Sequence, residues 1–207
     1  MIAEQSHLSK YIPQSSLSTI RSYLNNFKIS LFLAKPRKSK LGDYRPPRNG
    51  KGHRISVNED LNPYAFLLTL VHEIAHAYTF QQYGPGRVAP HGKEWQRNFS
   101  KLMQPFLNKE TFPTELLPTI SQHLTEGRAT SCTDPELTTI LKKYDQEPTF
   151  LKFIYELPFN ETFIWRNGKQ FVKQKKLRKR YRCREVDTGY IYLFSPVAEV
   201  QPLGRTQ

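Results

Sequence analysis

Apolar positions along the chain change their spacing from one stretch to the next, and each spacing predicts an element. Residues 1 to 12 are polar without a clear period. Ser15 to Asn25 place Leu17, Ile20 and Leu24 at helical spacing, which predicts a short helix. Lys28 to Leu33 alternates and predicts a strand. Gly42 and the Pro46-Pro47 pair break the next stretch, and Arg54 to Val57 predicts another strand. Two or three short strands thus precede the clearest element, a long helix. Asn62 is a fitting N-cap for it, and Pro63 suits the first helical position, where its missing N–H is not needed. Phe66, Leu67, Leu70, Val71, Ile74 and Ala77 recur at three and four, giving one apolar stripe that faces a core. Gly84-Pro85-Gly86 ends the helix.

A second helix is predicted just after His91, with Trp95, Phe99, Leu102, Met103 and Phe106 on one side. Residues 108 to 150 hold short helical pieces, the best being Pro135 to Tyr144 capped by Asp134 or Thr133. From Leu151 the texture turns aromatic and β-branched. Phe163, Trp165 and Phe171 flank Asn167-Gly168, a strong hairpin signal. Tyr181 to Val186 and Tyr190 to Phe194 flank a second turn at Asp187-Thr188-Gly189. The expected class is α+β. A small sheet with its helices occupies residues 15–150, and an antiparallel β subdomain occupies residues 151–200.

Composition narrows the picture further. The 207 residues are 38% hydrophobic, enough for a packed core, so wholesale disorder is excluded. No run of about 18 apolar residues exists, so no membrane helix is expected. Ile29 to Ala34 is too short, too late and too interrupted by Ser30 to be a signal-peptide core. Only Cys132 and Cys183 occur, both read as ordinary buried thiols, which fits a reducing compartment and a cytoplasmic protein. The formal net charge is +13, and it is concentrated. Lys35 to Arg54 hold eight basic residues and one acid; Arg166 to Arg184 hold ten and none. Such blocks attract polyanions, although a single charge run is often just a solvated face. Lys173, Lys175, Lys176, Arg178, Lys179, Arg180, Arg182 and Arg184 are the candidate phosphate contacts. Trp165, Phe171 and Tyr181 are candidates either to stack on unpaired bases or to pack a core.

Within the long helix, His72-Glu73-Ile74-Ala75-His76 forms an H-E-x-x-H pattern. Positions i and i+4 lie about 40° apart around a helix, so both imidazoles reach one ion. Glu73 projects beside them as a candidate general base. Composition alone predicts about 0.01 such matches in a chain of this make-up. A catalytic zinc takes three protein ligands and leaves its fourth position to water. His91, beyond the Gly-Pro-Gly turn, is the natural third ligand, and Glu94 is the competing one. Tyr78 and Tyr83 lie near enough in sequence to donate to an oxyanion, though packing accounts for either.

H-E-I-A-H-A-Y followed by H-G-K-E-W resembles the SprT-like zinc metallopeptidases, whose pattern is H-E-x-x-H-A, a turn, then H-G-x-x-F or W. Lys38 to Tyr44 (K-S-K-L-G-D-Y) and Arg54 to Asn58 (R-I-S-V-N) also resemble the strands before that family's helix, and the similarity covers roughly residues 15 to 107. The resemblance implies a minigluzincin-like core holding one zinc ion through His72, His76 and His91. It also implies peptide-bond hydrolysis, with protein or peptide substrates. Family members include proteases that degrade proteins crosslinked to DNA and are switched on by DNA, and bacterial relatives carry a suggested tie to transcription elongation. Many members end in a four-cysteine zinc ribbon. Here Tyr181-Arg182-Cys183 matches its start, but no partner cysteines follow, so the C-terminal sheet is expected to be held by aromatic packing.

Three neutral imidazoles leave a zinc ion its full charge, enough to bring the pKa of water from near 16 toward about 7. Glu73 would accept the water's proton and later hand it to the leaving amine. Two functions follow as expectations. One is a metallopeptidase associated with DNA, including single-stranded DNA, and acting on DNA-bound proteins. The other is a nucleic-acid-binding, transcription-associated protein with a structural or weakly active zinc site.

Overall fold

A computed structural model describes residues 7–37, 40–48, 50–127, 134–145 and 150–203. The chain divides into two compact units, Met1–Asp145 and Gln146–Gln207. Cys132 and Thr133 lie outside the described residues. Among the described residues, no helix is long and apolar enough to cross a membrane. The chain is α+β: a small sheet with helices, then a separate antiparallel sheet.

In the first unit, helix α1 (Leu17–Asn26) leads into strand β1 (Ile29–Ala34). Strands β2 (Gly42–Arg45) and β3 (His53–Asn58) complete a sheet of order β1-β3-β2. Strand β3 is central, parallel to β1 and antiparallel to β2. Arg37 fixes the chain on its way to β2. Its Nε donates to Asn58 Oδ1 at 2.7 Å, and one terminal nitrogen donates to Ser56 Oγ at 3.0 Å. Asn58 N–H in turn donates to the Leu41 carbonyl at 2.9 Å, immediately before β2 begins.

Helix α2 (Pro63–Tyr83) starts where the cap signal placed it. Asn62 Oδ1 accepts from the Tyr64 and Ala65 N–H groups at 3.2 and 3.0 Å. The same amide donates to the Leu141 carbonyl at 2.9 Å, tying the start of α2 to α5 (Pro135–Lys142). Gly84 closes the helix at φ 80°, a left-handed conformation that suits glycine. The expected single stripe is wider in the structure. Every residue from Ala65 to Val71 is buried, as in a helix that runs through an interior rather than over it. Helix α3 (Lys93–Met103) is held against it by Asn98, whose amide donates to Thr79 Oγ1 and Gln82 Oε1, each at 2.9 Å. Helix α4 (Leu116–Thr125) is joined to α5 by a buried pair, His123 Nδ1 to Asp134 Oδ2 at 2.8 Å. Asp134 also caps α5.

The second unit is an antiparallel sheet of order β4-β9-β5-β6-β7-β8. Its strands are β4 (Lys152–Phe153), β5 (Thr162–Ile164), β6 (Gln170–Lys176), β7 (Tyr181–Glu185), β8 (Ile191–Phe194) and β9 (Glu199–Pro202). Both expected hairpins form, with Gly168 at φ 79° and Gly189 at φ 75° supplying the left-handed turn positions. Strands β4 and β9 were not foreseen, because each is short and β9 is bracketed by Pro196 and Pro202. The core is aromatic, as expected. The Phe194 ring meets those of Phe163, Trp165 and Phe171 at 5.1 to 5.3 Å. Phe171 and Tyr181 are buried there, so packing is their role and base stacking is not.

Lys173 is a correction. It was expected to face solvent among the phosphate contacts, yet it is 2% exposed. Its ammonium donates to the carbonyls of Leu157 and Tyr155 and lies over the rings of Tyr181 and Phe159, at 4.3 and 4.9 Å from their centroids. Alternation along β6 turns its side chain inward with Phe171, and the strand bulges only after it. Burial lowers its pKa and pushes the neighbouring Cys183 thiol up to about 11. A buried ammonium thus braces a sheet that has a single buried cysteine. Lys173→Met keeps the side chain's reach but strips two inward-facing carbonyls of their donor. The expected loss is about 1–3 kcal/mol in urea denaturation, and a variant as stable as the parent would show that the ammonium does not brace the unit.

Candidate metal centre

His72 and His76 stand one turn apart on α2, and the turn before α3 carries His91 back toward them. Their Nε2 atoms form a small triangle. The sides are 3.3 Å (His72–His76), 3.0 Å (His76–His91) and 3.2 Å (His72–His91). A tetrahedral zinc ion bonded to nitrogen at 2.0–2.1 Å needs ligand nitrogens about 3.3 Å apart, so this donor set fits it. The fit also holds chemically. Burial, reinforced by the neighbouring imidazoles, lowers His72 to about 2 and His76 to about 4, and burial lowers His91. Neutral imidazole is the ligating form. Glu94 is absent from the cluster, and the third donor the structure brings to the pair is His91.

The backbone of His91 reflects the sharpness of its turn. Its φ is 59°, a left-handed value uncommon for a residue with a side chain. Gly92 N–H donates to the Ala89 carbonyl at 2.9 Å, closing the turn, and α3 begins at once. Strain held in this way at a cluster of ligands is a common feature of functional sites.

Trp95, buried on the first turn of α3, supports all three rings. Its centroid lies 4.6 Å from that of His72, 5.1 Å from His76 and 4.7 Å from His91. Phe99 stacks behind it at 5.1 Å. On the other side, Tyr44 of β2 stacks nearly parallel to His76 at 6.0 Å, and its hydroxyl pairs with His53 Nδ1 at 2.9 Å. The sequence marks Trp95 as an apolar position and as the last residue of the H-G-K-E-W motif, and Tyr44 as part of a resembling strand, but neither as a support for the histidine rings.

Glu73 is 7% exposed. Burial, and then the charge of Asp43, raises its carboxyl to about 7, with Arg37 and Lys40 opposing. Asp43 is itself tied to Lys40 Nζ at 2.6 Å and to Arg45 Nε at 3.0 Å. The seat of Glu73 is Gly42. A methyl group there would sit 2.5 Å from Glu73 Oε1, 2.8 Å from its Cγ and 2.8 Å from Thr69 Cγ2. The sequence reads Gly42 only as a break between strands; its close approach to Glu73 comes from the packing of β2 on α2. Tyr78 stacks on Phe27 at 5.1 Å, a packing position, and Tyr83 is half-buried at the end of α2.

Among the other basic candidates, Lys175, Lys176, Arg178, Lys179, Arg180 and Arg184 are exposed and Arg182 is half-buried. Lys175, Lys176 and Arg178 to Arg180 cluster at the β6–β7 end, while Arg182 and Arg184 lie along β7.

A model of the SprT-like family matches residues 12–121, just over half of the chain. The chain belongs to the SprT-like family. A 36-residue segment is 58% identical to Protein SprT of Vibrio parahaemolyticus serotype O3:K6 (strain RIMD 2210633), covering 17% of this chain and 21% of that protein. The match therefore spans about a fifth of that relative's length. No solved structure matches the chain.

Two substitutions separate the parts of this SprT-like centre. His91→Ala removes one of three donors and should cut zinc retention after dialysis at least about tenfold, read by elemental analysis. Gly42→Ala touches no donor. It should keep parental zinc content while losing about 1–3 kcal/mol of stability as Glu73 and Thr69 are displaced. Equal stability of Gly42→Ala and parent would show that the seat is not tight.

Proposed function

We propose that this SprT-like protein is a zinc-dependent metallopeptidase that hydrolyses peptide bonds, with proteins bound to nucleic acid as its substrates. The observation that supports the peptidase reading is the Nε2 triangle with a buried carboxyl on the adjacent residue of the same helix. A zinc ion in that triangle supplies Lewis acidity, acidifying water and polarising a peptide carbonyl. The protein's own groups do the rest. Three neutral imidazoles hold the ion without cancelling its charge, and the packing of Trp95 and Tyr44 against their rings keeps the nitrogens convergent. Glu73, with a carboxyl held near 7, is matched to proton transfer at neutral pH. It takes a proton from water and returns it to the departing amine. Gly42 keeps that carboxyl close against β2.

A purely structural zinc site has no use for a buried acid in this position, which favours the enzyme over the reading as a transcription-associated binder. Glu73→Gln should bind zinc like the parent and lose about 10²–10⁴-fold in casein cleavage. Parental cleavage by that variant would refute the mechanism.

Nucleic-acid association is supported by the exposed cations of the β6–β7 end, above all Lys175, Lys176, Arg178, Lys179 and Arg180, which have no ion pair among the described residues. Residence in the cytoplasm, supported by the scarcity of cysteine, belongs to the same reading. Contact with about five phosphates predicts a log–log salt slope for single-stranded DNA near −3.5. Reversing Arg178, Lys179 and Arg180 to Glu should flatten that slope. No binding at low salt would leave these residues a solubility role.

A further inference from the structure

The outer edge of the second unit has a combination that neither the metal centre nor nucleic-acid contact requires. Strand β8 ends the sheet order, so among the described residues one of its edges has no neighbouring strand. It is also unusually apolar for an edge. Tyr190, Ile191, Tyr192 and Leu193 are 69%, 43%, 41% and 50% exposed, four in succession. Soluble proteins normally blunt such an edge with charge or proline.

The hydrogen-bond phase of the β7–β8 ladder identifies the free backbone groups. Glu185 N–H donates to the Tyr190 carbonyl at 2.9 Å, so the bonded pairs are Glu185 with Tyr190, Cys183 with Tyr192, and Tyr181 with Phe194. Arg184–Ile191 and Arg182–Leu193 are the intervening non-bonded pairs. The N–H and C=O groups of Ile191 and Leu193 therefore point away from β7, out of the open edge. On one face of the sheet the side chains of these two residues lie directly beside Arg184 and Arg182. Neither arginine has an ion pair among the described residues.

We propose that β8 is a docking strand for an extended acidic polypeptide, which adds to the sheet as a further antiparallel or parallel strand. Ile191 and Leu193 supply the main-chain partners. Side chains of the guest alternate between the two faces. One set continues the face of Tyr192 and is apolar. The other continues the face of Ile191 and Leu193, where Arg182 and Arg184 reach over the aliphatic side chains to meet carboxylates. This charge complementarity selects the occupant. A second copy of the chain would bring arginines toward arginines, and pairing through a four-residue strand falls short of the roughly 800 Å² per partner that stable dimers bury. A nucleic acid would not use a row of peptide N–H and C=O groups, and the two residues paired directly with the arginines, Ile191 and Leu193, are aliphatic instead of the aromatic platforms that bases stack on. This surface lies away from the histidine cluster in sequence and does not depend on peptidase activity.

Fluorescence anisotropy on the full chain tests it, using a fluorescein-labelled decapeptide of alternating valine and glutamate, the same peptide with lysine for glutamate, and a ten-nucleotide oligo-dT. The glutamate peptide should bind at least about tenfold tighter than the lysine peptide. Leu193→Pro removes an N–H that faces away from β7, so it should weaken the glutamate peptide about tenfold or more while leaving the parental melting temperature in place. Should that variant fail to fold, Arg182→Glu combined with Arg184→Glu, on outward-facing side chains, should reverse the preference toward the lysine peptide. The proposal is overturned if the parent shows no preference between the peptides, if a folded Leu193→Pro binds as the parent does, or if the double reversal leaves the preference unchanged. Displacement of the glutamate peptide by oligo-dT, with folded Leu193→Pro binding both as the parent does, would assign the face to nucleic acid instead.

Discussion

Three neutral imidazoles whose Nε2 atoms stand 3.0 to 3.3 Å apart constrain everything around them. Lone pairs turned toward one another repel, and protonation of rings this buried is unfavourable. A shared divalent cation would relieve that repulsion with the donors already in place. The surroundings are built to hold the arrangement. Helix α2 runs through the interior, Trp95 fills the space behind all three rings, and Tyr44 stacks on the ring of His76. Tight packing on several sides leaves the rings little rotational freedom, which is the usual means of orienting a ligand set.

The same helix presents its acid to a different neighbour. His72 and His76 face the turn before α3, whereas Glu73 lies against Gly42 of β2. The network of Arg37, Asn58 and Leu41 anchors the chain just before that glycine, so sheet and helix locate the carboxyl jointly. In the proposed reading, metal retention and proton transfer would therefore draw on partly different contacts. The histidine rings are held by Trp95 of α3, by the turn before that helix and by Tyr44 of β2, whereas the carboxyl is held against Gly42 of β2.

In the second unit, aromatic rings and one internal ammonium occupy the core. Ten cations within nineteen residues read as uniformly solvated, which is why Lys173 stands among the expected phosphate contacts. Charge alone says nothing of which face a residue takes. Alternation along β6 does, since Lys173 lies two residues from buried Phe171, and the bulge at Gln174 then returns the later lysines to solvent. Strands β4 and β9 were illegible for a related reason. A two-residue strand and one ending in proline form only because neighbours already present an open ladder.

Local rules were enough for much of this chain. The Asn62-Pro63 start of α2, its end at Gly84 and the two hairpins follow from dihedral preferences and hydrogen-bond arithmetic within a few residues. The helical repeat likewise placed His72 and His76 on one side of α2. Only the folded chain brought His91, and not Glu94, beside the pair, because that depends on how a left-handed turn aims one side chain back across nineteen residues. It alone made Gly42 the floor beneath Glu73, buried one lysine among seven that are exposed or half-buried, and left the backbone of Ile191 and Leu193 unpaired at an edge. Those outcomes depend on distances between segments remote in sequence, and no local propensity encodes them.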